Sequence, residues 1–160
     1  MHTRAKLYST IQNKIIVIVR HTQPTDLPII LDIEQDVFKD EAWSENMLAK
    51  ELELFAHSRN MVILHCNQIV GYLISHVFLD EVHILNLAID VKFQSKGLGK
   101  ILLQRFLKNF TYPVKIILEV KESNYIAINL YEKLEFYLVD TRKNYYKNGD
   151  NAIIMEKKIN

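Results

Sequence analysis

Apolar residues along this chain keep two rhythms, one of two residues and one of three to four, and the changes between them mark its elements. The β-branched run "KIIVIV" within 14–21, closed by "HTQPTD", predicts a strand. From Asp26 onward, Leu27, Ile30, Leu31, Ile33, Val37 and Phe38 recur at helical spacing. Ser44 stands at the N-cap of a second predicted helix with Met47, Leu48, Leu52 and Phe55 as its apolar side. Residues 60–66 and 69–78 read as a hairpin turning at "NQ", followed by a strand over 82–89. Leu98, Ile101, Leu102, Leu103, Phe106, Leu107 and Phe110 form the broad face of a helix that starts at or just after Gly97 and ends before Pro113. "VKIILEV" is the next strand, and Ile126, Ala127, Leu130, Tyr131 and Leu134 predict a short helix from about Asn124. Strands over 136–143 and 152–158, joined around "KNGD", complete the series. The order β-α-α-β-β-β-α-β-α-β-β predicts an α/β domain of the α+β kind: a mixed, mostly antiparallel seven-stranded sheet flanked by about four helices. No repeat, low-complexity tract or linker interrupts it, so residues 1–160 read as one domain, with 1–13 an N-terminal extension left unassigned.

Composition narrows the function classes. Twenty basic against nineteen acidic residues leave a net charge of +1, which provides no field for nucleic acid, and four basic residues in the first 25 are a thin RNA- or ribosome-docking signal. No apolar stretch approaches the ~18 residues of a membrane span. A single cysteine, Cys66, excludes an internal disulfide framework and fits a reducing, cytoplasmic setting; within "MVILHC" it is expected to be a buried structural thiol. The acid-free, basic first 25 residues resemble an organellar transit peptide, against which "KIIVIV" reads as part of the fold. The six histidines, His57, His65, His76 and His83 among them, show no paired spacing for a metal, and none is expected.

Two of the chain's four glycines, Gly97 and Gly99, fall where a strand hands over to a helix. A tight turn would use them, and so would a cradle in which anionic oxygens approach unpartnered N–H groups at the helix start. A mononucleotide P-loop would need glycine at Gln94 and serine or threonine at Ile101; a dinucleotide loop would need glycine at Leu102. Both fail. What remains is Gln94-Ser95-Lys96-Gly97-Leu98-Gly99, followed by Lys100, after a strand ending "LAID"; this resembles the acetyl-coenzyme A pyrophosphate loop of the GNAT acetyltransferases.

Downstream, strand alternation puts Lys115, Ile117, Glu119 and Lys121 on one face and Val114, Ile116, Leu118 and Val120 on the other. Glu119 fits two roles equally: a carboxylate solvated or paired with a lysine, or a partly desolvated base whose pKa is pushed upward. Tyr131, on an apolar helix face, fits a core residue or a phenol that protonates a departing thiolate. Asn124 fits an N-cap or a polar contact to a cofactor.

"ILNLAIDVKFQSKGLGKILL", "LEVKESNYIAINLYEKLEF", "RKNYYKNGDNAIIM" and "EAWSE" together resemble the RimI-type GNAT enzymes, which acetylate the N-terminal alanine of a bacterial small-subunit ribosomal protein. The resemblance spans roughly residues 25–157. It implies Glu119 as catalytic base and Tyr131 as acid, with the backbone of Leu87, Ala88 and Ile89 holding the thioester and pantetheine arm. It further implies that Gln94 and Ser95 to Lys100 wrap the pyrophosphate, that Asn124 touches the cofactor, and that Trp43, Tyr145 and Tyr146 help hold the acceptor. Trp43 equally fits a core position. The implied partners are acetyl-coenzyme A and a protein acceptor, with no metal, membrane or specific nucleic acid, and the chain acting as a monomer or weak dimer. Glu135 stands where the family has glycine after the helix, a place for a left-handed backbone. Transfer to another amine (lysine, polyamine, aminoacyl-tRNA) and a non-catalytic coenzyme A-binding module are the alternatives; a thiol-release assay with acetyl-coenzyme A and peptide separates out the module.

Overall fold

The computed structural model describes residues 7–8, 16–53 and 58–160. Its strands are β1 (Leu7–Tyr8), β2 (Val17–His21), β3 (Met61–His65), β4 (Gln68–Phe78), β5 (Glu81–Ile89), β6 (Val114–Lys121), β7 (Tyr137–Arg142) and β8 (Ala152–Ile159). Its helices are α1 (Leu27–Phe38), α2 (Glu45–Glu53), α3 (Leu98–Leu107) and α4 (Tyr125–Lys133). The strands form one sheet in the order β1-β2-β3-β4-β5-β6-β8-β7. All pairs are antiparallel except β5–β6, the pair that α3 connects. The seven expected strands are present, and Leu7–Tyr8 adds a two-residue edge; the rest of 1–13 lies outside the described residues, as does Phe55. Val17–His21 is an inner strand paired with β3, so that part of the basic N-terminal stretch belongs to the fold.

Strand alternation splits the core in two. Met61, Ile63, Leu73 and Val82 face α3 and α4 together with Val114, Ile116, Leu118 and Val120. Val62, Tyr72, Ile74 and Ala88 face the α1–α2 layer on Ile30, Ile33, Leu48 and Leu52. Leu102, Leu103 and Phe106 of α3 are fully buried, each worth roughly 1.5–3 kcal/mol of transfer free energy. Gly71 lets β4 and β5 approach closely: a Cβ there would lie 2.8 Å from the Ala88 carbonyl. Arg20 on β2 grips buried Asp26 with two bonds of 2.7 and 2.8 Å at the entry to α1. Burial pushes the Asp26 carboxyl up, but the Arg20 pair and the Gln23 N–H outweigh it and leave its pKa below the ordinary value.

Ser44 Oγ accepts the Met47 N–H at 3.3 Å, as expected of an N-cap. Three details differ from expectation. The β3–β4 turn falls at Cys66–Asn67, both at positive φ, as a two-residue hairpin requires. Cys66 is therefore exposed, not a core thiol. Met47 and Ile126, assigned to apolar helix faces, are 49% and 85% exposed.

The feature that makes a site is a fork. β5 and β6 pair only from Glu81–Lys115 to Ile84–Leu118. Beyond that, β5 stays with β4 as far as Ile89, and β6 stays with β8 as far as Lys121. A bulge marks the parting: Ile74 faces Asn86 and Ser75 faces Ile84, so Leu85 has no partner, and an extra residue bends its strand.

Candidate active site

One arm of the fork is the end of β5. Asp90 N–H bonds Val70 O at 2.9 Å, so alternation turns the Ala88 main chain toward β4 as well, and turns that of Leu87 and Ile89 toward the gap. Of the three residues expected to hold the acyl group, two therefore turn their main-chain edges to the gap and one presents its buried side chain to the α1 core.

The loop after β5 is built to reach α3 with its amides uncovered. Asp90 Oδ1 accepts the Lys92 N–H at 2.9 Å and starts a single 3-10 turn over Val91–Phe93. Gln94 Nε2 donates to Ile89 O at 3.0 Å, folding the loop back on the strand end. Ser95 and Gly97 then adopt φ of +60° and +78°. Gly97 is the N-cap of α3 and offers no side-chain oxygen, and the first helical bond is Ile101 N–H to Gly97 O. The N–H groups of Leu98, Gly99 and Lys100 thus have no partner among the described residues, at the positive end of the helix dipole. A Cβ on Gly97 would meet nothing within 4 Å, so backbone conformation is what requires glycine there. A Cβ on Gly99 would lie 3.7 Å from Ile89 and 3.9 Å from Leu87, on the surface joining loop to fork. The geometry fits a pyrophosphate with a pantetheine arm running into the gap. Lys100 is exposed, and Lys96 turns back to bond Lys92 O at 3.1 Å.

The other arm is the end of β6. Glu119 lies on the open face of β6 with a third of its side chain exposed, and its Oε1 is 2.7 Å from Arg142 Nη1 on β7. Its ionic partner is an arginine two strands away, where a lysine was the expected alternative. Asn124 caps α4 by accepting the Ala127 N–H at 3.1 Å. Tyr131, on α4, is 7% exposed and stacks obliquely on Phe136. Burial, then the neighbouring Tyr146, pushes its phenol up to about 12. Burial and next Glu119 raise Tyr146 in turn, so Tyr146 stands within electrostatic reach of both Glu119 and Tyr131.

On the acceptor side, Tyr145 is exposed under the Arg142 guanidinium, 5.5 Å from its ring centre, and edge-on to Tyr146 at 5.3 Å. Lys121 Nζ sits 4.8 Å over the Tyr146 ring and pairs with Glu41 at 2.6 Å. The Trp43 side chain packs against the α1–α2 core. Arg142, Lys121 and Glu41 were not expected as site residues; Lys121 shares its face of β6 with Glu119, but Arg142 on β7 and Glu41 in the α1–α2 connection come from far off in sequence, and nothing local signals them. Glu34 was missed with a signal present: it falls four residues after Ile30 on the apolar stripe of α1. Two clefts, of about 530 and 380 Å³, lie elsewhere, one at the C-terminal ends of α3 and α4 and one beside α1 and the β3–β4 turn. Among the described residues no cluster of three His, Cys, Asp or Glu side chains is placed to hold a metal, and no helix is long and apolar enough to cross a membrane.

A forked β5–β6 pair with an uncapped glycine turn beside it suits a ligand with a phosphate end and an extended arm, and comparison with known proteins specifies the family. Residues 27–136 match the acetyltransferase (GNAT) family model. The chain is 35% identical over 137 residues to the ribosomal protein bS18-alanine N-acetyltransferase of Salmonella typhimurium, covering 82% of this chain and 90% of that one. It is 34% identical to the Escherichia coli K12 enzyme of the same name, at 83% and 91% coverage. The crystal structure of the ribosomal-protein-S18-alanine N-acetyltransferase from Escherichia coli superposes with a TM-score of 0.81 at 33% identity, covering 89% of this chain and 94% of that one. This chain belongs to the GNAT acetyltransferase family, and it resembles the RimI type.

Proposed function

We infer that the protein transfers the acetyl group of acetyl-coenzyme A to the N-terminal α-amine of a protein, with the alanine terminus of ribosomal protein bS18 as the acceptor its relatives' names indicate. The observation that carries this is the fork itself. Its β5 arm leads to unpartnered amides suited to a pyrophosphate, and its β6 arm carries an accessible carboxylate toward the acceptor side.

Acetyl-coenzyme A supplies an activated thioester carbonyl. Leu98, Gly99 and Lys100 N–H groups bind its phosphate oxygens, and Asn124 contacts it from α4 with the amide nitrogen that capping leaves free. The main-chain edge of Leu87 and Ile89 orients the acyl group, and its N–H groups stabilise charge developing on the carbonyl oxygen. Glu119 takes one proton from the acceptor ammonium, directly or through water, freeing the nitrogen lone pair to form the new C–N bond. The C–S bond then breaks; Tyr131 gives its proton to the departing thiolate and regains one from the second proton that leaves nitrogen. Tyr145 and Tyr146 flank the incoming chain. Much of the acceleration comes from holding amine and carbonyl at near-attack distance.

The test is direct: the full chain, acetyl-coenzyme A and a peptide with a free N-terminal alanine are mixed and thiol release is followed. Sustained release supports the assignment; silence on every α-amine offered rejects it.

A further inference from the structure

The most deeply buried carboxylate in the described structure takes no part in this chemistry. Glu34, on α1, is 0% exposed. Its Oε1 accepts the Trp43 main-chain N–H at 2.7 Å. Its Oε2 accepts Asn86 Nδ2 at 2.9 Å and the Tyr72 hydroxyl. No cation is among its partners in the described residues. Tyr72 feels the arrangement: burial first, then Glu34, raises its phenol far above the ordinary value.

As a way to attach a helix to a sheet this is costly, because a buried carboxyl group gives up its hydration and a packed leucine would serve. What it joins explains the cost. Trp43 lies in the connection between α1 and α2. Asn86 lies on β5, one residue past the bulge at Leu85 and one before Leu87. The same connection is fixed at Glu41, whose carboxylate pairs with Lys121 at the end of β6. Residues 39–44 are thus fastened to both arms of the fork, to β5 through Glu34 and to β6 through Glu41.

The geometry points to Glu34 as a positioning residue: it anchors the 39–44 connection as a strap across the fork, setting the gap in which amine meets thioester. The role rests on the proposed function, but the anchoring is a separate physical claim. Trp43 is the single tryptophan of the chain, so its fluorescence reports the anchor without reference to activity.

The experiment compares Glu34→Ala, Glu34→Gln and Asn86→Ala in the full chain. In Glu34→Ala the Trp43 emission shifts to the red and acrylamide quenches it about twofold more strongly. That variant also loses about tenfold or more in kcat and raises the peptide KM, with the acetyl-coenzyme A KM within about threefold, as expected of misplaced groups with an intact cofactor loop. Glu34→Gln keeps a carbonyl for the Trp43 N–H and recovers most of both signals. Should Glu34→Ala not fold, Asn86→Ala cuts only the link to β5 and shows the same kcat and peptide KM pattern. Unchanged Trp43 emission and quenching in Glu34→Ala overturns the anchor. A lower melting temperature with both kinetic constants unchanged shows a merely structural carboxylate and overturns the positioning role. A wild-type chain inactive on every peptide rejects the functional reading instead, and the fluorescence comparison still decides the anchor.

Discussion

Arg142 on β7 reaches across β8 to set its Nη1 2.7 Å from Oε1 of Glu119 on β6. The arginine is half exposed, so the pair adds little to stability. Its consequence is orientation: the carboxylate is turned to the same side as Tyr145, over which the guanidinium also lies.

If Glu119 is the base, Glu119→Gln keeps shape and loses proton acceptance. Steady-state thiol release should show kcat reduced by about 10²-fold or more with the acetyl-coenzyme A KM nearly intact. Full activity in that variant rejects the assignment.

Tyr131 yields a pH prediction with a definite sign. Burial, then Tyr146, raises its pKa from 10.0 to about 12, so it stays a neutral donor across the working range. The kcat profile should show no loss from Tyr131 ionisation below about pH 10, and Tyr131→Phe should lower kcat at every pH. Because the folded pKa lies above the unfolded one, the contribution of Tyr131 to stability is complete below pH 10 and is lost as pH rises toward 12. Urea unfolding at pH 8 and pH 11 measures this, and Tyr131→Phe should flatten the difference.

Gly97 holds φ at +78° with open space where a side chain would go. Gly97→Val should therefore pack without a clash yet turn the loop out of its left-handed conformation and cover the amides. Calorimetry should find coenzyme A bound about tenfold more weakly or worse. Unaltered affinity would count against the anion cradle.

Glu135 shows what a departure from the family pattern costs. It follows α4 at φ +66°, the left-handed conformation that glycine takes without strain. Its carboxylate pairs with Lys157 at 2.7 Å but is 85% exposed, so the pair compensates little. Glu135→Gly should raise the thermal midpoint by about 2–4 °C with kinetics unchanged.

The parts legible in the sequence were those set by neighbours along the chain. Helical spacing located all four helices, Ser44 and Asn124 announced their caps, and the paired glycines announced the α3 turn. The strand order, with β8 between β6 and β7, depends on pairings far apart in sequence, and so does everything assembled across it. Arg142 meets Glu119 only through that order. The Leu85 bulge that opens the fork has no local signature in "VHILNLAI". Cys66 misled because its apolar run ends one residue before the turn. Glu34 was readable in principle, as a charge on an apolar stripe; its partners were not.

The most direct measurement offers wild-type protein and acetyl-coenzyme A a peptide panel that differs only in the first residue, each carrying one internal lysine. Mass spectrometry then locates the acetyl group. The expected result is acetylation at the α-amine, fastest for N-terminal alanine. Acetyl found only on the lysine side chain would contradict it.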